Sequence, residues 1–180
     1  MYMKGLIIYA SNTGNVAKFV DKLKDKLDGD YEAVNIKDTN PKDIKLKQYD
    51  KVVIGTYMRR QKADPDISDF TIRNLDALLE KNVYIFVSAL ETEDGYKREI
   101  MLSFPEKIRD AFEIYNVGGS FEYYELRYIE RVMIRKIADK QGKTVEDLKN
   151  YNEKRLDKFA EIVNNTEPLK KLEAEREKIS

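Results

Sequence analysis

Apolar residues along the chain alternate between continuous runs and helical spacing, which predicts strands and helices in regular succession. Residues 3–9 form an apolar run with the length of a buried strand. Residues 15–27 follow with apolar side chains at helical spacing, which are Val16, Phe19, Val20, Leu23 and Leu27. The pattern therefore predicts a strand, a turn and a helix as the first unit of the fold.

The same alternation continues through most of the chain. Further strands are predicted at residues 32–36, 51–56, 82–90 and 113–121, and further helices at residues 67–81 and 100–112. Five strands alternating with helices indicate an α/β fold, in which helices cover both faces of a parallel sheet. Residues 57–66 and 91–99 are predicted to be long loops at the carboxyl ends of strands, where ligands bind in such sheets.

The last third of the chain departs from this alternation. Residues 121–143 are too long and too regularly patterned for a simple connection, so we predict an insertion with a helix of its own. The last core helix is predicted at residues 145–164. We expect one domain over residues 1–166, followed by a charged helical tail over residues 167–180.

Composition narrows the chemistry that this domain can perform. The chain has 33 Lys and Arg against 33 Asp and Glu, so its overall charge does not favour nucleic acid as a partner. It contains no Cys, His or Trp, which excludes thiolate nucleophiles, imidazole triads and Cys or His metal sites. Redox chemistry would need a cofactor. The N-terminal apolar run is too short for a signal peptide, so we expect a cytoplasmic protein.

The segment between the first strand and the first helix has the residues of a phosphate-binding loop. It reads Ser11, Asn12, Thr13, Gly14 and Asn15. Free backbone N–H groups and the positive end of the helix dipole converge there. Neither G-x-x-x-x-G-K-[ST] nor G-x-G-x-x-G is present at this loop, which favours a monophosphate over a triphosphate or a pyrophosphate. The alternative is that Ser11 or Thr13 only caps the helix.

This loop and the order of elements resemble the flavodoxin family. The sequence "SNTGN" after the first strand is similar to the S/T-x-T-G-x-T loop with which that family holds the phosphate of FMN, although Val16 replaces the final Thr. The resemblance implies a doubly wound five-stranded sheet of order 2-1-3-4-5. It also implies FMN as the cofactor, with its phosphate on residues 11–16.

Two further segments resemble the flavodoxin-like, quinone-dependent protoporphyrinogen oxidases. These are "VVIGTYMRRQK" at residues 52–62 and "GGSFEYYELRYIERVMIRKI" at residues 118–137. The oxidases carry a long insertion after the fifth strand, with Arg and Tyr leading into a similar helix. The resemblance implies a porphyrinogen as the substrate and a quinone as the electron acceptor.

If FMN binds in this way, its ring is expected between the loops after the third and fourth strands. The expected ring neighbours are Thr56, Tyr57, Met58 and Arg59 on one side, and Ala89, Leu90, Glu91 and Tyr96 on the other. A cation such as Arg59 beside the reduced ring would raise its potential, whereas the acidic stretch "ETEDG" would lower it.

The predicted helix of the insertion has two distinct faces. Its apolar stripe comprises Leu126, Ile129, Met133 and Ile137, and is expected to pack on the core. Arg127, Arg131 and Arg135 recur on another face, which would suit porphyrinogen propionates or anionic lipids, and thus a peripheral membrane contact through residues 124–137. The alternative is a solvent-facing basic stripe.

These observations leave several functions open. The first is an FMN enzyme that passes reducing equivalents from protoporphyrinogen IX to a quinone, with Arg59, Arg127 and Arg131 as candidate catalytic residues. The second is a carrier that moves single electrons between protein partners without a substrate site. The third is a flavodoxin-shaped module whose FMN site serves only structure or interaction.

Overall fold

The structure is a computed structural model that describes residues 3–90, 93–119, 124, 126–148 and 153–166. Its strands are β1 (Lys4–Tyr9), β2 (Asp30–Asn35), β3 (Lys51–Arg59), β4 (Lys62–Ala63), β5 (Asn82–Ser88) and β6 (Ile114–Asn116). Five of these strands form a parallel sheet of order β2-β1-β3-β5-β6, and β4 pairs antiparallel with β3. Numbered as predicted, without β4, this order is 2-1-3-4-5, so the predicted fold class is confirmed.

Eight α-helices and two short 3₁₀ helices accompany the strands in the described part of the chain. The α-helices are α1 (Asn15–Lys24), α2 (Pro65–Arg73), α3 (Leu75–Leu79), α4 (Glu93–Ser103), α5 (Glu106–Ala111), α6 (Tyr128–Lys140), α7 (Val145–Leu148) and α8 (Glu153–Asn165). The 3₁₀ helices are Pro41–Asp43 and Leu46–Gln48, both between β2 and β3. The helix predicted in the insertion is α6, and the predicted tail lies outside the described residues.

Alternate residues of the central strands face two separate hydrophobic layers. In β3, Val52 and Ile54 pack with the layer formed by α2 to α5, whereas Val53 packs with the layer formed by α1 and α8. Because β3 is buried on both faces, its apolar run shows no polar alternation. Burial on both faces is the reason that this strand was predictable from sequence.

Two predicted helices are each divided in the structure. Residues 67–81 form α2 and α3, which are separated at Asn74, whose side-chain amide donates to the Phe70 carbonyl (2.8 Å). Residues 100–112 belong to α4 and α5, which are separated by Phe104 and Pro105, because a proline lacks the N–H that would continue a helix.

Both predicted long loops were wrong. In residues 57–66, β3 continues to Arg59, turns through two residues and returns as β4, after which α2 begins at Pro65. In residues 91–99, α4 begins at Glu93, where Glu93 and Asp94 complement the positive end of the helix dipole. The ends of the sheet are therefore more regular than the sequence suggested.

A third hydrophobic cluster anchors the insertion to the sheet. Ile134 and Ala138 of α6 are buried against Leu148, and partly buried side chains complete the cluster. One of these is Leu90, which is the second residue after the end of β5. The insertion therefore packs at the carboxyl end of β5.

Candidate functional site at the carboxyl edge of the sheet

The predicted phosphate loop connects the end of β1 to the start of α1. Ser11 is buried, and its Oγ accepts a hydrogen bond from the Ala17 N–H (3.3 Å) in the first turn of α1. Its backbone exchanges hydrogen bonds with the Asn35 side chain, through the Ser11 N–H (3.2 Å) and the Ser11 carbonyl (3.1 Å). Ser11 therefore caps the helix, as the alternative interpretation held, and can still donate its hydroxyl hydrogen.

The N-terminus of α1 presents unpaired backbone donors. Gly14 is the N-cap residue, with φ 83°. Because it has no side chain, it makes no capping hydrogen bond to the helix. Among the described residues, no hydrogen bond is made by the backbone N–H groups of Thr13, Gly14 and Val16. A Cβ added to Gly14 would meet no atom within 4 Å, so the space beside this turn is open. The loop therefore combines free donors, room and the positive end of a ten-residue helix.

Tyr57 connects the phosphate loop to a buried carboxylate. Its hydroxyl accepts a hydrogen bond from Asn12 Nδ2 (2.7 Å) and donates to Asp64 Oδ2 (3.0 Å). Asp64 is buried, and Lys37 Nζ pairs with the same oxygen at 2.7 Å. Burial and the nearby Asp64 carboxylate raise the pKa of Tyr57. Tyr57 therefore stays a neutral phenol that holds Asn12 in place.

Two of the other three residues predicted on this side of the ring, Thr56 and Met58, face the interior. Thr56 is fully buried, and its Oγ1 accepts a hydrogen bond from the Asp64 N–H (3.1 Å). Met58 packs against the hydrophobic layer of α2 to α5, with its sulfur 3.8 Å from Ser103 Oγ. Of these three neighbouring side chains, only that of Tyr57 extends toward the phosphate loop.

Arg59 is paired with the insertion. Its Nη2 lies 2.7 Å from Glu130 Oε1, and the other Glu130 oxygen accepts from the Arg127 N–H (3.1 Å) at the start of α6. Arg131 holds the preceding segment, because its guanidinium donates to the carbonyls of Leu126 (2.9 Å) and Tyr124 (2.8 Å). The three candidate arginines thus lie around one junction between β3 and α6. Arg59 and the backbone N–H of Arg127 both contact Glu130, which joins the two elements.

Most of the residues predicted on the far side of the ring pack in the core or against the insertion. Ala89 is buried, Leu90 packs with the insertion cluster, and Gln141 Nε2 donates to the Leu90 carbonyl (2.8 Å). Tyr96 lies in α4 and not in a loop, its ring packs on the core, and its hydroxyl donates to the Ile114 carbonyl (3.1 Å). Burial raises the pKa of Tyr96. Glu91 lies outside the described residues.

The apolar stripe predicted for α6 was half wrong. Leu126 and Ile137 pack in the insertion cluster, whereas Ile129 and Met133 are 63% and 40% exposed. The buried stripe runs instead through Ile134 and Ala138, because the helix is anchored through Leu90 at the end of β5. With Tyr124 and Tyr128, the exposed residues form an aromatic and aliphatic outer face.

Several residues of this site were missed by sequence reasoning. Asn35, Lys37 and Asp64 join the phosphate loop to α2, and Glu130 joins α6 to β3. The dipeptide Asp64-Pro65 is a helix-start signal, because Asp accepts from the first turn and Pro suits the first helical position. This signal would have identified Asp64 as the residue at the start of α2, beside the site. No local pattern marks the other three residues.

Comparison with known proteins decides the family. The sequence profile described as "Flavodoxin domain" matches residues 6–147, which is most of the chain. The chain belongs to the flavodoxin family. A search among curated protein sequences returned no match.

Solved structures agree with this flavodoxin fold. Flavodoxin 1 from Bacillus cereus is 22% identical, with a TM-score of 0.53, and the alignment covers 91% of this chain and 99% of that one. A flavodoxin from the domain Archaea is 15% identical, with a TM-score of 0.50 and coverages of 89% and 99%. The flavodiiron core of Flv1 from Synechocystis sp. PCC6803 is 18% identical, with a TM-score of 0.52 and coverages of 92% and 37%. This chain therefore spans about a third of that longer protein, and the likenesses establish the fold alone.

The described residues contain neither a metal-binding cluster nor a membrane-spanning helix. No group of three or more acidic, His or Cys side chains is arranged to hold a metal ion in the part of the chain that the structure describes. Within the same residues, no helix is long and apolar enough to cross a membrane.

Proposed function

We propose that this protein is an FMN-dependent redox protein. The observation that carries the proposal is the start of α1, where a left-handed Gly14 and the unpaired N–H groups of Thr13, Gly14 and Val16 lie together beside open space. Such a set of donors matches the acceptor oxygens of one phosphate group. The family to which the chain belongs supports the same assignment.

The residues of this edge fit FMN without a basic side chain in the loop. The backbone N–H groups of Thr13, Gly14 and Val16 would hold the phosphate. Ser11 and Thr13 offer hydroxyls, and Asn12 is held in place by Tyr57. Bound FMN supplies the electron-transfer chemistry, which the chain itself cannot perform because it has no Cys or His. The protein binds and orients the cofactor and sets the charge around it.

More specifically, we propose a quinone-dependent protoporphyrinogen IX dehydrogenase. The resemblance of residues 52–62 and 118–137 to such enzymes supports this reading, and so does the Arg59–Glu130 pair, which joins those two segments. The exposed Tyr128, Ile129 and Met133, with Arg127 beside them, would suit a peripheral contact with the anionic inner face of a membrane that holds the quinone.

One observation favours a second function, a one-electron carrier between protein partners. Arg131 was expected to contact a substrate, but its guanidinium bonds to the carbonyls of Tyr124 and Leu126. A carrier needs no substrate site. Two measurements separate the functions. Turnover of protoporphyrinogen IX with a menaquinone analogue in anionic vesicles would support the enzyme. An absence of turnover, together with an FMN potential well below that of free FMN, would support the carrier.

The shared FMN proposal is tested by the substitution Gly14→Val. A β-branched residue cannot adopt φ 83° without strain, so the donors of the loop should move apart. We expect the affinity for FMN to fall by at least about tenfold, because each charge-assisted hydrogen bond is worth roughly 1.5–3 kcal/mol. The measurement is the quenching of FMN fluorescence during titration.

The matched control is Gly142→Val. Gly142 also has a positive φ (62°) and open space around its Cβ position, but it follows α6. This substitution should lower stability by a similar amount and leave FMN binding unchanged. The proposal fails if the unaltered protein binds no FMN, or if both variants bind it equally well.

A further inference from the structure

The phosphate loop begins where the hydrogen-bonded ladder of β1 ends. Tyr9 is the last residue of β1 and is in register with Asn35 of β2, and the next residue, Ala10, still donates its N–H to the Gly55 carbonyl (3.0 Å). For Ser11, the described part of the chain gives no backbone-to-backbone hydrogen bond, because the chain turns away toward α1. Ser11 is nevertheless buried, so its N–H and carbonyl need other partners.

The side chain of Asn35 supplies both partners. Its Oδ1 accepts from the Ser11 N–H (3.2 Å), and its Nδ2 donates to the Ser11 carbonyl (3.1 Å). A primary amide carries an acceptor and a donor side by side, which are the two groups that a neighbouring strand would present. Because Asn35 is the last residue of β2, its side chain extends the pairing of the two strands from Tyr9 to Ser11.

The other hydrogen bonds of Asn35 fix the amide itself. The same Oδ1 accepts from the Lys37 N–H (3.3 Å), and the same Nδ2 donates to Asp38 Oδ2 (3.0 Å). The Ile36 N–H also ties this segment to β1, because it donates to the Tyr9 carbonyl (2.8 Å). Both hydrogens and both lone pairs of the amide therefore have partners, and its orientation is determined before any ligand binds.

Ser11 connects this amide to the free donors of the loop. Only Asn12 separates it from Thr13, the first of the three residues whose N–H groups are proposed to hold the phosphate. The Ser11 Oγ also accepts from the Ala17 N–H (3.3 Å) in the first turn of α1. A shift of Ser11 would therefore move the loop relative to the helix, and the free N–H groups would no longer converge on one point.

We propose that Asn35 is a positioning residue that gives the site its selectivity for a phosphorylated flavin. This inference rests on the proposed function, because it assigns the phosphate of FMN to the loop at residues 11–16. Asn35 acts through Ser11, which it holds so that little ordering of the loop is needed when the phosphate binds. Its loss should therefore weaken the binding of the phosphate and leave the binding of the flavin ring unchanged.

The test compares FMN with riboflavin, which has the same ring and ribityl chain but no phosphate. We expect the unaltered full-length protein to prefer FMN. Asn35→Ala should reduce the ratio of the two affinities by about fivefold to tenfold, because two hydrogen bonds to buried groups are lost. The affinity for riboflavin should stay within about twofold of its original value. Quenching of flavin fluorescence measures both affinities. A merely structural role would lower them together.

Asn40→Ala is the matched control. Asn40 lies in the same connection between β2 and β3, and its Oδ1 accepts from the Lys42 N–H (3.1 Å) in the 3₁₀ helix Pro41–Asp43. The substitution therefore also removes a hydrogen bond from a side chain to the backbone. Among the described hydrogen bonds, none joins Asn40 to residues 11–16, so the ratio of the two affinities should not change.

Asn35→Asp keeps the test decisive if Asn35→Ala does not fold. The carboxylate has the shape of the amide and still accepts from the Ser11 N–H, but it cannot donate to the Ser11 carbonyl. In about 1 M salt the Debye length is about 3 Å, so the added charge is screened, and the ratio should still fall by about threefold to fivefold.

Two results would overturn the positioning role and leave the FMN proposal intact. These are an unchanged ratio in a folded Asn35 variant, and an equal loss of both affinities. Failure of the unaltered protein to bind FMN is a different result, which would refute the proposed function and this inference with it.

Discussion

At the scale of single residues, Tyr57 has the most consequential contacts in the described structure. One hydroxyl joins the exposed Asn12 of the phosphate loop to the buried Asp64. Sequence reasoning expected Tyr57 to neighbour the flavin ring, and that role stays a prediction. The structure adds a second role, because its hydrogen bonds fix the position of Asn12.

Removing only this hydroxyl tests the positioning role. Tyr57→Phe keeps the aromatic ring but loses both hydrogen bonds, so we expect the affinity for FMN to fall by about fivefold, or about 1 kcal/mol. Asn12→Ala should have a similar effect, and the double variant should be little worse than either single one, because both remove one interaction. Calorimetric titration with FMN measures all three.

Tyr128→Phe is the control for this series. Tyr128 is 81% exposed, and its substitution should leave FMN binding unchanged. Additive losses in the double variant would show that Tyr57 and Asn12 act independently, which would contradict the positioning role.

At the scale of elements, the junction between β3 and α6 determines where the insertion lies. Helix α6 buries only a small cluster around Ile134 and Ala138. Its first turn is held by Glu130, which accepts from Arg59 in β3 and from the Arg127 N–H. A helix with so little buried apolar surface should depend on such polar contacts for its local order.

Glu130→Gln should loosen the start of α6. The pair is partly exposed, so global stability should change by less than about 1 kcal/mol. Amide hydrogen exchange should nevertheless become faster over residues 128–134. Mass spectrometry of exchanged peptides gives the measurement.

Glu106→Gln is the control for Glu130→Gln. Glu106 also lies in the first turn of a helix, α5, and has no cationic partner among the described side chains. Exchange in α6 should be unaffected by it. Equal exchange of α6 in Glu130→Gln and the unaltered protein would show that the pair does not order the helix.

At the scale of the whole molecule, buried tyrosines should set the alkaline limit of stability. Tyr31 is 2% exposed, and its hydroxyl has no hydrogen-bond partner within the described residues. Its ring covers Gly5, where an added Cβ would approach the ring to 2.2 Å. Burial, with smaller effects from Tyr84 and Asp28, raises the pKa of Tyr31 above its ordinary value. Burial likewise raises the pKa of Tyr9, Tyr49, Tyr57, Tyr84, Tyr96 and Tyr115.

The direction of the pH dependence follows from this shift. A raised pKa in the folded state means that the unfolded chain loses its protons first, at about pH 10. Stability should therefore be fully present below about pH 10 and decrease as the pH rises above it. Tyr31→Phe should make this decrease shallower by about 1.4 kcal/mol per pH unit.

The same substitution should also raise stability at neutral pH. It removes a buried hydroxyl without a partner, and we expect a gain of about 1 kcal/mol. Urea unfolding between about pH 7 and pH 11 measures both effects, with Tyr128→Phe as the exposed control. An unchanged alkaline slope in Tyr31→Phe would mean that this phenol does not titrate differently in the two states.

The sequence by itself determined the central sheet and the loop after β1. Strands β1, β3 and β5 are continuous apolar runs because both of their faces are buried, and such runs identify themselves locally. The regular alternation of strands and helices indicated a parallel sheet, and the family resemblance implied the order of its strands. The sequence of the loop at residues 11–15 was recognisable because a turn before a helix needs particular small residues, and its binding of a phosphate stays a prediction.

Only the tertiary structure decided how distant residues pair. Nothing near Arg59 in the sequence indicates Glu130, 71 positions away, and nothing near Ser11 indicates Asn35. The hairpin turn at Arg60 and Gln61 lacks the usual glycine, so it left no local signal. The buried side of α6 depended on where Leu90 anchors the insertion. Periodicity reports the geometry of a single element, whereas these contacts are set by the packing of several elements at once.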